Sequence, residues 1–343
     1  MTRSRPTLNE WRGLYQAAIR VKEVAPWDWM TETDIFGVRD PETGETGFVS
    51  VMGALGEHLA VAVYLGSEGL YGFWAFQQFA DSAPSEVLLD IPHLQASFED
   101  RSTLSAKDRD MIKELGLKFR GRQSWPMFRS YRPGFFPWYL EASEARLLTY
   151  ALEQAIEVAL RFKEDPAILD TSDDTSYMVR VGHKQGDAFV WQDRLENVPP
   201  PESRTISVPM DLDMLEAVSQ LPHSRQVLEI DFFTLPTGVV EEKGARPYFP
   251  HMLLVVDSGS GFVFSSELLS PEADLAMMWA QIPVTLVYQL ARIGAVPRQI
   301  RVRSQILAQW LQLLVEELGF QVKVTRRLPA LDEAKDFLMR RFM

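Results

Sequence analysis

The stretch 227–324 of this 343-residue chain carries the pattern that most restricts its fold. Three apolar runs, "VLEIDFFTL", "HMLLVVD" and "GFVFSSELL", follow one another, and "DSGSG" at 257–261 is a turn short enough to join the last two as a hairpin. A helical stretch at about 272–293 comes next, then the strand "RQIRVR", the helix "SQILAQWLQLLVEELG" and the strand "FQVKVTR". Hairpin-joined strands are antiparallel, whereas a strand reached through a helix returns parallel by a right-handed crossover. The order therefore predicts a mixed sheet covered by helices. A short helix at about 211–220 precedes it, and "LDEAKDFLMRRF" closes the chain as another.

The first half reads differently. "TLNE" at 7–10 is a capping box, and the apolar positions after it predict a helix that stops before Pro26. "DPETGETG" and "GALGEH" separate three strand-like runs, which reads as an antiparallel meander. Further elements expected here are a helix at about 68–81, a strand at "EVLLDI", and a short helix opened by "SAKD" and ended at Gly116. An aromatic, proline-broken extended segment and a long amphipathic helix over about 142–163 follow. "YMVRVGHKQGDAFVWQDRL" looks like a hairpin, and "ENVPPPESR" like a stiff connector. The expected organisation is an α+β chain with one domain over 1–165, a connector with its hairpin over 166–204, and a second domain over 205–343.

Composition narrows the function classes. With 46% apolar and 24% charged residues the chain can bury ordinary cores. No apolar run reaches the roughly 18–20 residues of a membrane helix, and the first residues lack the apolar core of a signal peptide. The expectation is a cytoplasmic protein without membrane attachment. The absence of cysteine excludes disulfides, thiolate metal sites and cysteine nucleophiles. A net charge of −12 argues against wholesale wrapping of nucleic acid. That charge is uneven: residues 1–204 carry −9, yet 292–343 hold ten Lys and Arg against five acids. Arg298, Arg301, Arg303, Arg326, Arg327, Arg340 and Arg341 could form a basic face for nucleic acid, or a solvated surface.

The second half resembles the ribonuclease-H-like fold in the form found in transposase and retroviral-integrase catalytic cores. "LEIDFFTL" is similar to the first strand of such a core, with Asp231 at the position of its first catalytic aspartate. "LLVVDSGSGFVF" is similar to the second and third strands and places Asp257 on a non-catalytic turn position. "VPRQIRVRS" looks like the fourth strand. The resemblance implies two-metal phosphoryl transfer with Mg or Mn, which needs several carboxylates to neutralise two ions about 4 Å apart. Here Arg303 or Ser304 falls where the second aspartate should be, and Asp332, Glu333 and Asp336 are the acids available to a third. The candidate catalytic residues are thus Asp231, Asp257 and Glu333, with Asp231 the candidate metal ligand. The incomplete set favours a non-catalytic binding or regulatory module without a cofactor over a divergent metal-dependent nuclease or nucleotidyl transferase. The whole chain also resembles bacterial proteins known as domains of unknown function, through "PWDWMTETDIFGVRDPETGETGFVSVMG" and "LPALDEA".

Other chemistry finds little footing. His58, His93, His183, His223 and His251 are scattered and form no helical pair of ligands. The glycines of "DSGSGF" lie in a hairpin and open no helix for a phosphate, and no serine sits in a nucleophile elbow. The aromatic clusters "PWDWM", "YGFWAF", "SWPMF" and "PGFFPWYL", which include Trp125 and Trp138, are expected to fill cores or to line a groove for a protein partner.

Overall fold

The computed structural model describes residues 4–78, 89–186, 188–202, 206–235, 237–242, 244–271 and 275–342, with the backbone alone at 341 and 342. They form an α+β protein with two mixed sheets, which falls into two compact units. One comprises Met1–Pro133 and Pro137–Glu202, the other Gly134–Phe136 and Ser203–Met343.

The first unit begins with helix α1 (Leu8–Val24), opened by the expected capping box. The Thr7 hydroxyl accepts the Glu10 N–H while the Glu10 carboxylate accepts the Thr7 N–H. Strands β1 (Phe36–Arg39), β2 (Thr46–Met52) and β3 (Ala60–Leu65) make the meander, and α2 (Gly66–Gln78) follows. Of the strand expected at "EVLLDI", residues 86–88 lie outside the described residues. The strand of this region is β4 (His93–Glu99), just downstream, where the burial of consecutive residues in "HLQASFE" fits a sheet with two covered faces. Helix α3 (Ala106–Glu114), strand β5 (Trp125–Tyr131) and helix α4 (Ala142–Glu164) complete this part of the chain.

The hairpin read as a connector is part of this sheet. Its strands β6 (Ser176–Gln185) and β7 (Ala188–Asn197) extend the order to β5-β4-β3-β2-β1-β6-β7, with β6 parallel to β1 and every other pair antiparallel. The join is tight. Gly37 faces Val179 across it, and a Cβ on Gly37 would lie 2.8 Å from the Val179 side chain. One face of the sheet packs Val38, Val49, Val51, Val61 and Val63 against Leu14 and Ala18 of α1 and Leu148, Leu152 and Ala155 of α4. The opposite face packs Phe48, Ala62, Tyr64 and Tyr177 with Leu70 and Phe73 of α2. Apolar residues face helices on both sides, which explains why β2 and β3 read as nearly continuous apolar runs.

The second unit has helix α5 (Leu212–Ser219), then β8 (Val227–Thr234), β9 (His251–Asp257) and β10 (Val263–Leu269) as an antiparallel meander. Helix α6 (Leu275–Ile293) leads to β11 (Gln299–Val302), parallel to β8. Helices α7 (Gln305–Gln312) and α8 (Val315–Leu318) lead to β12 (Gln321–Val324), parallel to β11. The sheet order β10-β9-β8-β11-β12 is the mixed arrangement predicted from the alternation of strands and helices. The stretch "SQILAQWLQLLVEELG" is broken at Leu313–Leu314 rather than continuous, and Gly319 ends it in the left-handed conformation that suits a glycine. Helix α9 (Pro329–Phe342) covers the face of the sheet opposite α5–α8, where Leu328 and Leu331 pack on Met252, Leu254 and Val256.

Candidate functional site

Strand β8 alternates with period two. Leu228, Ile230 and Phe232 enter the core beneath the α5–α8 helices, which leaves Glu229, Asp231 and Phe233 on the face under α9. Two of those three positions are carboxylates, and both are buried: Glu229 is 1% exposed and Asp231 6%. A buried carboxylate must find donors or a counter-charge, and each does so differently.

Asp231 Oδ1 accepts the Phe232 N–H at 3.0 Å, and its Oδ2 lies 3.2 Å from Nη1 of Arg303, just past the end of β11. The other nitrogen, Nη2, reaches Asp332 Oδ1 in the first turn of α9 at 2.6 Å. Arg303 thus bridges the strand acid and the helix acid. Burial pushes the Asp231 carboxyl above its usual range, and the Arg303 charge and the Phe232 N–H pull it back. The Asp332 hydrogen bond, opposed by burial, raises the Arg303 guanidinium. Of the two residues that the resemblance offered at this strand end, Arg303 and Ser304, it is Arg303 whose guanidinium sits against Asp231.

Glu229 escaped the sequence reading. Its Oε1 accepts the Ser258 hydroxyl at 3.2 Å and its Oε2 accepts the Leu331 N–H at 3.0 Å, so a strand carboxylate caps the first turn of α9. The two-residue spacing "EID" on one strand was the signal that could have found it, because it places both acids on one face.

Asp257 ends β9. Its Oδ2 accepts the Ser260 N–H at 2.8 Å and the Ser260 hydroxyl at 2.6 Å, while its backbone pairs with Phe262 and Gly261. It shapes the turn, as the reading of "DSGSG" had it. Glu333 is exposed on α9, one residue past the acid that Arg303 holds. The fold therefore unites Asp231 with Arg303 and Asp332 and leaves Asp257 and Glu333 in other surroundings. Among the described residues no group of three His, Asp or Glu side chains is gathered as a metal ion would require. A guanidinium already neutralises Asp231, so this donor set does not fit a pair of divalent ions.

The aromatic clusters of the first unit divide between core and surface. Tyr15, Trp27, Phe98 and Phe128 are buried in ring contact, Tyr15 meeting Phe128 edge-on at 4.9 Å. Trp125 and Trp138 are half-buried. Tyr71, Trp74, Phe162 and Tyr177 line a cleft of about 850 Å³, whose rim carries Asp34, Asp170, Asp173 and Asp174. Its walls are braced: Trp74 Nε1 donates to the Tyr177 hydroxyl at 2.9 Å, and the Tyr71 hydroxyl donates to the Val198 carbonyl at 2.7 Å. Hydrogen bonds from Thr175 and Ser176 hold the Asp173 carboxyl below its usual range.

Among the described residues no helix is long and apolar enough to cross a membrane. Fold and sites define a two-unit α+β protein with an aromatic cleft in one unit and an acid cluster closed by arginine in the other. Residues 11–180 match the family model described as "Domain of unknown function (DUF7309)", and residues 214–339 match "Domain of unknown function (DUF6930)". Each half of the chain is thus similar to one domain of unknown function, an arrangement consistent with a two-domain family. No curated protein matches it significantly.

Proposed function

We propose that this protein works by binding rather than by hydrolysis, with its second unit a ribonuclease-H-like scaffold turned into a non-catalytic binding or regulatory module. The observation that carries this reading is the bridge from Arg303 to both Asp231 and Asp332. In a two-metal hydrolase those carboxylates would face ions, whereas here a fixed cation of the chain itself takes their charge, and adding an ion beside it meets repulsion. The strand order supports the scaffold, and the braced cleft of the first unit offers a place for a protein partner.

Calorimetric titration of the full chain with magnesium and with manganese, beside a nuclease assay on single- and double-stranded substrates, tests it. The expected result is no saturable heat at millimolar ion and no cleavage. Saturable binding that disappears in Asp231→Asn, or cleavage lost in that variant, overturns the proposal in favour of a metal-dependent nuclease.

A further inference from the structure

Residues 101–122 hold seven Lys and Arg against three acids, inside the stretch 1–204 whose net charge is −9. The fold draws five of those cations, Arg101, Arg109, Lys113, Lys118 and Arg120, around a cleft of about 590 Å³ formed by α3, the segment after it and the start of β5. Asp110 is the acid on its wall, and Ile112, Leu117, Phe119 and Trp125 supply apolar surface.

Among the described residues, six arginines of the same unit have anionic partners close by, and the five cleft cations do not. Arg39, Arg129, Arg132, Arg146, Arg161 and Arg180 each meet a carboxylate within 3 Å. Among the described residues none of the five cleft cations is in an ion pair. Arg101 lies over the Trp125 ring at 5.8 Å from its centroid, and Arg109 donates to the Leu104 carbonyl. Like charges gathered without counter-charge repel one another and raise the potential of a concave surface, which favours an anion with several charged oxygens. The aromatic wall adds a flat apolar surface that bare phosphate would leave unused, and on which a base can stack.

We propose that this cleft binds a nucleotide unit, free or within a single-stranded nucleic acid, with Lys113, Lys118 and Arg120 on the phosphates and Trp125 against the base. The assignment concerns the first unit and does not rest on the reading of the second. It moves the nucleic-acid contact away from the C-terminal arginines, of which Arg303 is already committed to Asp231 and Asp332.

The test is fluorescence anisotropy of a labelled eight-residue thymidylate strand with the full chain, with ATP, inorganic tripolyphosphate and a duplex of equal length as competitors. The triple variant Lys113→Gln, Lys118→Gln, Arg120→Gln alters exposed side chains and is expected to weaken binding at least tenfold at low salt. Trp125→Leu is expected to weaken it about fivefold, and Trp125→Phe less than twofold, because stacking contributes about 1 kcal/mol per base and survives in phenylalanine. Competition by ATP as strong as by the strand identifies a free nucleotide as the ligand, and weaker competition identifies the strand; either supports the proposal. It is overturned by absence of binding, by a triple variant that binds as the parent does, by tripolyphosphate or duplex competing as well as the strand, or by Trp125→Leu without effect.

Discussion

His93 is a single residue whose surroundings decide its chemistry. It is 4% exposed, stacks on Tyr131 with centroids 4.0 Å apart, and places Nδ1 2.8 Å from the Ile91 carbonyl. Burial pushes its pKa down to about 4, against an ordinary 6.5. The folded protein therefore holds a neutral imidazole, and unfolding takes up a proton at mildly acidic pH. Stability is full above pH 6.5, falls as the pH drops from 6.5 towards 4, and loses on the order of 3 kcal/mol over that window at about 1.4 kcal/mol per pKa unit. Urea unfolding midpoints between pH 4 and 7 should trace this loss, and His93→Phe, which keeps a ring against Tyr131, should flatten the curve. The sequence placed His93 among five scattered histidines with no ligand role; its burial depends on which face of β4 it occupies, and that follows from strand register. Asp231 repeats the lesson. Its carboxylate was legible as a strand acid and Arg303 as the residue in the wrong place for a metal, yet their 3.2 Å contact joins positions 72 residues apart.

At the scale of elements, local chemistry was the most readable. The capping boxes at Thr7 and Ser105 and the turn at Asp257 stand as local hydrogen-bonding rules place them. Helix α9 is different, because the start of its hydrogen-bonded backbone is held by Glu229 from another element. Glu229→Ala should leave the Leu331 N–H buried without an acceptor and cost about 2 kcal/mol. Hydrogen exchange at the Leu331 amide should then accelerate, while Glu229→Gln, whose amide oxygen can still accept that N–H, should recover most of the protection. Unchanged exchange in Glu229→Ala would show that packing of Leu328 and Leu331 alone sets the helix. The break between α7 and α8 was not legible, since "WLQLLVEEL" satisfies helical periodicity throughout.

At the scale of the molecule, the join of β1 and β6 matters most for the first unit, because it ties the meander to a hairpin more than 130 residues further on. Gly37→Val in the full chain should overpack the contact with Val179 and lower stability by about 2 kcal/mol, read from the urea midpoint. Gly37→Ala should do so by less. A valine variant as stable as the parent would mean that the strands separate without cost. Net charge also misleads at this scale. The stretch 1–204, with a charge of −9, contains the basic cleft at 101–125, because an average over sequence hides a cluster that a helix and the segment after it bring together.

By itself the sequence determined the elements and much of their order in the second sheet: the period of its apolar residues separates helix from strand, and turn length and crossover handedness leave few ways to connect them. It also placed Arg303 and Ser304, and no carboxylate, at the end of the strand "RQIRVR". Tertiary structure alone decided that the hairpin at 176–197 belongs to the first sheet, that Arg303 clamps Asp231 to Asp332, and that Glu229 caps the start of α9. Local rules act over a few residues through backbone hydrogen bonds and side-chain spacing. Partners in a buried ion pair or a parallel strand join are chosen by three-dimensional packing, which no short window of sequence contains.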